Sequence, residues 1–297
     1  SGSRRGKSRA ARRRRPADAG PMSPAPVTPA APAPVRSLPT GLCQRLRFFF
    51  TDIDDTLTAD GLIPAASFAA LWDLADAGIR VVPVTGRPAG WCDHIARMWP
   101  VAGVVGENGA LSYVYDRARR LMRRAYADPA LGDPARHARL LEVARRVLKE
   151  VPGTALAADQ AFRLSDVAID YCEDVPALPP DRVREICRIL ESEGVQFKVS
   201  SIHVNFWLGS FDKMSGVRRF AEEEGPGWEE TREASLFIGD SPNDEPLFEG
   251  FPWSVAVGNL RRFLDRLSVF PRFITDGESA RGFREAVDVI LERRRSA

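Results

Sequence analysis

Short apolar runs alternate with amphipathic stretches along most of the chain. Six segments have the continuous apolar character of buried strands. Three lie in the first part of the chain, RLRFFFTDI, IRVVPVT and VAGVVGENG, and three near the C-terminus, SLFIGDS, WSVAVGN and PRFITD. Helical periodicity follows most of these runs, as in residues 67–77. Parallel strands joined by helices form a sheet that is covered on both faces. The pattern therefore predicts an α/β fold with a Rossmann-like, doubly wound parallel sheet.

The middle of the chain has a different texture. The segment between the two groups of apolar strands begins with a hairpin-like stretch. It continues with two helical stretches, near residues 135–150 and 181–193, and ends with the long alternating run VQFKVSSIHVNFWL. We expect an α+β cap domain at residues 113–208, inserted into a catalytic core formed by residues 43–112 and 209–297.

The first 42 residues carry nine basic side chains and one acid, a charge of +8 in a chain of net charge +2, so the remainder carries −6. Eight prolines and few large apolar residues indicate a disordered tail, in which Met22 is a candidate translation start. The arginine run could contact nucleic acid, which the acidic remainder is not expected to bind. The sequence shows no membrane span or signal peptide, and four scattered cysteines favour a reducing, cytoplasmic location.

TDIDDTLT follows the first buried strand directly and places Asp52, Asp54 and Asp55 within four positions. Carboxylates at the end of a buried strand are costly unless something neutralises them, and the carboxyl ends of parallel strands form the ligand crevice. Alternation directs Asp52 and Asp54 to the same side, where one can act as nucleophile or metal ligand and the other as general acid/base. The alternative is an aspartate cluster that only forms a turn.

Two further segments offer groups that can hold an anion. VVPVTGRP ends with Thr85, Gly86 and Arg87, whose hydroxyl, free backbone N–H groups and guanidinium suit phosphate oxygens. Lys213 lies at the start of a helix in SFDKMSGVRRF. Taken alone, both segments also fit ordinary roles, a common turn and a solvated surface charge.

SLFIGDSPND places a second pair of carboxylates after a buried strand. Asp240 ends the strand and Asp244 lies four residues further on, so their oxygens suit Mg²⁺, which prefers carboxylates, water and phosphate. Ser241 and Asn243 between them are also good turn and N-cap residues.

Together the four segments resemble, in order, the four motifs of the haloacid dehalogenase-like hydrolase superfamily. The insertion between the second and third motifs resembles the subclass of Cof-type sugar phosphatases, sucrose-phosphate phosphatase, mannosyl-3-phosphoglycerate phosphatase and the eukaryotic-type phosphomannomutases. GENGA, residues 106–110, resembles the segment that leads into the cap of those proteins. One departure is Asp55, where many relatives have glycine.

The resemblance implies a role for each motif. Asp52 would form an aspartyl-phosphate, Asp54 would act as general acid and base, and Thr85 and Lys213 would hold the phosphoryl group. Mg²⁺ would be held by Asp52, Asp54, Asp240 and Asp244. The expected substrate contacts lie in or beside the motifs, at the GENGA segment and in the cap: Thr56, Gly86, Arg87, Glu107, Asn108, His203, Asn205, Ser241 and Asn243.

We therefore expect a Mg²⁺-dependent phosphatase acting on a small phosphorylated sugar or sugar derivative, with mannosyl-3-phosphoglycerate as the nearest named substrate. Two alternatives stay open. A phosphosugar mutase would keep the same residues, and a non-catalytic protein could bind nucleic acid through its arginine-rich tail. His203 and Asn205 share one face of an alternating strand, which could instead be its solvent face.

Overall fold

The structure, a computed structural model, describes Gly2 and residues 31–200 and 202–296. Within these residues the strands are β1 (Ala33–Pro34), β2 (Phe48–Thr51), β3 (Arg80–Pro83), β4 (Val104–Gly106), β5 (Leu111–Asp116), β6 (Leu121–Tyr126), β7 (Ala155–Leu156), β8 (Asp166–Asp170), β9 (Gln196–Val199), β10 (His203–Trp207), β11 (Ser235–Gly239), β12 (Ser254–Ala256) and β13 (Phe273–Ile274). The α-helices are α1 (Thr40–Arg45), α2 (Ala65–Asp76), α3 (Ala89–Met98), α4 (Pro134–Glu150), α5 (Pro180–Ser192), α6 (Lys213–Glu224), α7 (Trp228–Glu233), α8 (Glu245–Gly250) and α9 (Ser279–Arg295). None of the described helices is long and apolar enough to span a bilayer.

A six-stranded parallel sheet, in the order β1–β13–β12–β11–β2–β3, forms the core. The three phenylalanines of β2 alternate between its faces. Phe49 packs edge-on against Phe283 of α9, whereas Phe48 and Phe50 join a second cluster that includes Phe220 of α6. Because helices cover both faces, β2, β11, β12 and β13 are fully buried and have a mostly apolar sequence. The predicted α/β fold with a doubly wound parallel sheet is confirmed.

A three-stranded antiparallel sheet extends one edge of the core. It has the order β4–β5–β6, and a parallel bridge between Val84 and Val105 connects it to the end of β3. The β5–β6 hairpin therefore pairs beside the central sheet. The expected start of the cap at residue 113 falls inside β5. The hairpin pairs with β4 through hydrogen bonds between strands, and alternation of side chains along the sequence does not show which strand a hairpin pairs with.

A separate four-stranded antiparallel sheet, β7–β8–β10–β9, carries α4 and α5 on one face, and we call this sheet, its two helices and the loops that join them the cap. Val167 and Ile169 of β8, and Val204 and Phe206 of β10, pack with these helices in one apolar cluster. Because side chains alternate along a strand, the other face is polar. That polar face carries Asp166, Asp170, Lys198, His203 and Asn205.

Part of the segment expected to be disordered is folded. β1 pairs with β13, and Val35, Leu38, Leu42 and Cys43 are buried in the cluster that contains α9. The prediction of disorder up to residue 42 is therefore wrong for residues 33–42. These four apolar side chains pack this stretch against the core. The many prolines around them made the segment look disordered in the sequence. The basic run and most of the proline-rich stretch lie outside the described residues.

Candidate active site

A small cavity lies between the carboxyl ends of the core strands and the polar face of the cap. Its core side is formed by Asp52, Asp54, Gly86, Arg87, Asn108, Lys213, Asp240, Ser241 and Asn243. Its cap side is formed by Arg163, Lys198, Ser200, Ile202, His203 and Asn205. The cavity measures about 40 Å³, and a water molecule needs roughly 10–15 Å³ by the same measure. We call it the site cavity; only a small group fits inside it in this closed arrangement.

Three buried carboxylates meet at one end of the site cavity. Asp52, Asp240 and Asp244 each offer an oxygen, and these oxygens lie within 4.8 Å of one another. Burial, together with the charges of the neighbouring aspartates, raises the pKa of Asp52 to about 7 and the pKa of Asp240 well above its usual range. Crowded carboxylate oxygens of this kind fit a hard divalent cation such as Mg²⁺, whose charge favours their ionised form.

Lys213 joins two of these carboxylates. Its Nζ donates to Asp52 Oδ1 at 2.8 Å and to Asp244 Oδ1 at 3.0 Å. Burial alone would lower the pKa of Lys213, but Asp244 and Asp52 hold it above its ordinary value. A capping box formed by Asp212 and Ser215 fixes the first turn of α6. Lys213 is therefore a buried, charged residue and not a surface lysine.

Two glycines allow the first turn of α6 to lie directly against the turn that follows β4. A Cβ on Gly109 would lie 1.9 Å from the carbonyl oxygen of Asp212, and one on Gly216 would lie 2.5 Å from the Cα of Gly109. Gly109 also has φ +97, where other residues are strained. Arg219 donates to the Gly109 carbonyl at 2.7 Å. This close packing fixes Lys213 relative to the neighbouring Asn108.

Arg87 connects the acid/base candidate of the core to the cap. It donates to Asp54 through Nε at 3.0 Å and Nη2 at 2.8 Å, and to Glu173 Oε1 at 3.2 Å. His203 Nε2 lies 2.9 Å from Glu173 Oε2, without the alignment of a hydrogen bond. His203 and Arg87 lower the pKa of Glu173 to about 2. Arg87 was predicted to contact substrate; it does line the cavity, but its guanidinium is occupied by two carboxylates.

Asn108 and Gly86 form the wall beside this pair. Asn108 is buried with φ 54, and its Nδ2 has no hydrogen-bond partner among the described residues. A Cβ on Gly86 would lie 3.2 Å from the Asn108 amide, so glycine leaves room for it. Thr85 is fully buried, lies outside the cavity lining, and accepts a hydrogen bond from the Arg87 backbone N–H at 3.0 Å. In this arrangement Thr85 shapes the loop, while Asn108 presents a free donor to the cavity.

Two predicted substrate contacts lie elsewhere. Thr56 is buried and does not line the cavity. Glu107 is fully buried, and its carboxylate accepts hydrogen bonds from the backbone N–H groups of Ala89, Leu164 and Ser165 at 2.7–2.8 Å and from the Ser165 hydroxyl. The structure therefore gives Glu107 a different task from the predicted one, since it ties the core to the cap and has no acceptor left for a substrate.

Four of the predicted substrate contacts line the site cavity: His203, Asn205, Ser241 and Asn243. His203 and Asn205 are buried, so their face is not a solvent face. The Asn205 amide donates to Asp166 at 2.9 Å.

The sequence did not indicate Arg163, whose Nη1 donates to the Gly86 carbonyl at 3.1 Å. Its other partners are the carboxylates of Asp159 and Asp166. Lys198, Ser200 and Ile202 also line the cavity, and of these the sequence did not indicate Lys198 or Ile202. The alternating run contained the signal for Lys198, but only the register of β9 on β10 shows that Lys198 faces Asn205.

Asp55 has φ 56, which places it in the left-handed region. Its backbone N–H donates to Thr58 Oγ1 at 3.0 Å. Glycine is favoured in this conformation and aspartate is tolerated. The departure from the pattern at this position therefore keeps the loop geometry.

Glu107 gives the folded protein a pH dependence. Burial, aided by the charge of Asp166, raises its pKa from 4.5 to about 7. Between these values the folded state binds more protons than the unfolded state, so stability falls as pH rises. From about pH 5.5 to about pH 7.5 we expect the free energy of unfolding to fall by about 2 kcal/mol relative to Glu107→Gln. Urea unfolding measures this difference.

The exposed Glu142→Gln is the matched control for this measurement, because its side chain is 62% accessible. As an ordinary surface change, it should alter the free energy of unfolding by no more than about 0.5 kcal/mol. A pH-independent difference between the wild type and Glu107→Gln would contradict the predicted titration.

Carboxylates gathered at strand ends beside a buried lysine suit phosphoryl transfer, which depends on positioning and charge neutralisation more than on covalent chemistry by the protein. A family model described as haloacid dehalogenase-like hydrolase matches residues 49–130. Over these residues the chain resembles this superfamily of hydrolases.

Several known proteins are similar over most of the chain. A phosphoglycolate phosphatase of Pyrobaculum neutrophilum is 29% identical over 248 residues, which cover 81% of this chain and 93% of the relative. The crystal structure of Thermoplasma acidophilum 0175 superposes with a TM-score of 0.61 at 18% identity, covering 83% of this chain and 98% of that one. The sucrose-phosphatase of Synechocystis sp. PCC6803 has a TM-score of 0.56 at 16% identity, covering 83% and 98%. These two structures share the fold.

Proposed function

We propose that the protein is a Mg²⁺-dependent phosphatase that hydrolyses a small phosphate monoester with a carboxylate on its leaving group, of the phosphoglycolate kind. The observation that carries the proposal is the buried lysine bonded to two of three crowded aspartates. The ammonium group of Lys213 offsets the charge of the nucleophilic Asp52 carboxylate. It lies at the place where a phosphoryl group would add further negative charge.

In the first step Asp52 attacks the phosphorus atom from the side opposite the leaving oxygen. The bond between phosphorus and the leaving oxygen breaks, and an aspartyl-phosphate forms on Asp52. Asp54 gives its proton to the leaving oxygen, so the alcohol departs neutral at that atom. Arg87, which holds Asp54 through two nitrogens, orients its carboxylate for this transfer.

In the second step Asp54 takes a proton from water, and the resulting hydroxide oxygen attacks phosphorus. The bond to Asp52 breaks, inorganic phosphate leaves, and both carboxylates return to their starting state. Lys213 and the free amide of Asn108 hold phosphoryl oxygens during both steps. Asp52, Asp240 and Asp244, with the Asp54 carbonyl, would bind Mg²⁺, which supplies positive charge for the phosphoryl oxygens when bound.

Two observations favour a substrate of the phosphoglycolate kind over mannosyl-3-phosphoglycerate. The site cavity itself is about 40 Å³, which favours a small leaving group at this place. The curated relatives that cover most of the chain are named phosphoglycolate phosphatases. Both compounds carry a carboxylate near the phosphate, so the choice concerns the size of the leaving group.

Phosphate release from a panel that contains phosphoglycolate, small sugar phosphates and mannosyl-3-phosphoglycerate tests the proposal. We expect phosphoglycolate to be hydrolysed fastest, and EDTA to stop release until Mg²⁺ is restored. Asp240→Asn should raise the Mg²⁺ concentration needed for half-maximal activity at least about tenfold. Asp265→Asn, a change at an exposed position, is the control.

The products separate this proposal from the mutase alternative. Inorganic phosphate and free alcohol indicate hydrolysis, whereas an isomeric sugar phosphate without phosphate release would contradict it. Phosphorus NMR of the reaction mixture distinguishes the two.

A further inference from the structure

Lys198 lies on the polar face of the cap sheet. In the register of β9 and β10 it is directly opposite Asn205, and both residues line the site cavity. Neighbouring Phe197 and Phe206 alternate to the other face and pack with the cap cluster. The backbone pairing of β9 therefore fixes the direction in which the Lys198 side chain leaves the sheet.

The other three cations that line the cavity are already paired. Arg87 is bonded to Asp54 and Glu173. Arg163 is bonded to Asp159 and Asp166, and Lys213 to Asp52 and Asp244. Among the residues that the structure describes, Lys198 has no carboxylate partner and no side-chain hydrogen bond. It is thus the lining cation whose charge is left for a ligand.

Lys198 lies on the side of the cavity where the leaving group of the substrate would bind, not where the transferred phosphoryl group would bind. In-line attack by Asp52 directs the leaving oxygen away from the Asp52 carboxylate. The wall on that side is formed by the cap, with Lys198, Ser200 and His203. A lysine ammonium is a compact point charge with three donors, which suits a small carboxylate.

We propose that Lys198 binds the carboxylate of the leaving group and thereby makes the enzyme select carboxylate-bearing phosphate monoesters over neutral ones of equal size. The inference rests on the proposed phosphatase function and adds the residue that sets its substrate preference. Lys198 acts on binding and leaves the bond-breaking groups, Asp52 and Asp54, unchanged.

A matched pair of substrates tests it: phosphoglycolate and its carboxamide, phosphoglycolamide, which has nearly the same shape without the charge. The wild type should prefer the acid. Lys198→Met should lower kcat/KM for phosphoglycolate by about 10- to 100-fold, mainly through KM, because an ionic hydrogen bond is lost. For phosphoglycolamide the change should stay within about threefold, since that contact never forms.

Lys198 is only partly buried, so its replacement should leave the protein folded, and equal melting temperatures verify this. Lys149→Met, the same change on an exposed face of α4, should leave both substrates unaffected. Lys198→Arg, which keeps the charge, should recover part of the preference for the acid.

The outcomes separate the two levels of the proposal. If the wild type hydrolyses both substrates equally, or Lys198→Met weakens both alike, the role of Lys198 is overturned while the phosphatase function stands. If the wild type releases phosphate from neither substrate in the presence of Mg²⁺, the proposed substrate class fails and the inference fails with it.

Discussion

Asp52→Asn is expected to lower kcat/KM for phosphate release by at least about 10³-fold, because an amide cannot form the aspartyl-phosphate. The protein should stay folded. The substitution removes one charge from a crowded cluster, and Lys213 keeps its bond to Asp244. Burst-phase kinetics and trapping of the acyl-phosphate measure the loss directly, since the wild type should show a phosphorylated enzyme and the variant none.

Asp60→Asn is the matched control for this experiment. Asp60 lies in the same loop region, is exposed, and has φ 50, a conformation that asparagine tolerates as well as aspartate. Its activity should stay within about threefold of the wild type, as for an ordinary surface change. Full activity of Asp52→Asn would show that the phosphoryl group is not transferred to this residue.

Lys213→Met is expected to be damaging in two separate ways. It removes the cation that faces the phosphoryl group, so kcat should fall by at least about 10²-fold. It also leaves Asp52 and Asp244 buried without their partner, which should lower the free energy of unfolding by about 3–5 kcal/mol when no Mg²⁺ is present. Urea unfolding in EDTA and steady-state kinetics measure the two effects.

Adding Mg²⁺ should restore part of the lost stability of Lys213→Met, because the cation replaces the missing positive charge among the three aspartates. Mg²⁺ should raise the free energy of unfolding of Lys213→Met by more than the same Mg²⁺ concentration raises that of the wild type. Lys149→Met, on an exposed helix face, should change stability by no more than about 0.5 kcal/mol. Unchanged stability of Lys213→Met in EDTA would contradict the buried ion pairs.

The core half of the site could be predicted because its residues lie next to strand ends. Asp52 and Asp240 directly follow apolar runs, and parallel strands bring their carboxyl ends together whatever the details of packing. Lys213 was harder, since a lone lysine at a helix start is usually solvated. Its assignment came from the resemblance. Its burial follows from the close contact between Gly109 and Gly216, and no local sequence pattern predicts this contact.

The cap half could be predicted only in outline. Alternation placed His203 and Asn205 on one face, but the partner strand and its register were needed to add Lys198. Arg163 and Glu173 lie in irregular segments, where sequence periodicity carries no information. Glu107 was assigned to the substrate because it lies in the GENGA segment at the junction with the cap, and its contacts with Leu164 and Ser165 appear only when the cap is docked.

The sequence by itself determined the parallel α/β core, the existence of an inserted cap and the group of acidic residues at the strand ends. These follow from periodicity and from short-range order along the chain, which are local properties. The tertiary structure alone decided which charges are neutralised and which stay free. Arg87 and Lys213 pair with carboxylates far away in sequence, whereas Lys198 has no carboxylate partner among the residues that the structure describes. Charge pairing depends on distances across the fold, and the linear order of residues does not contain them.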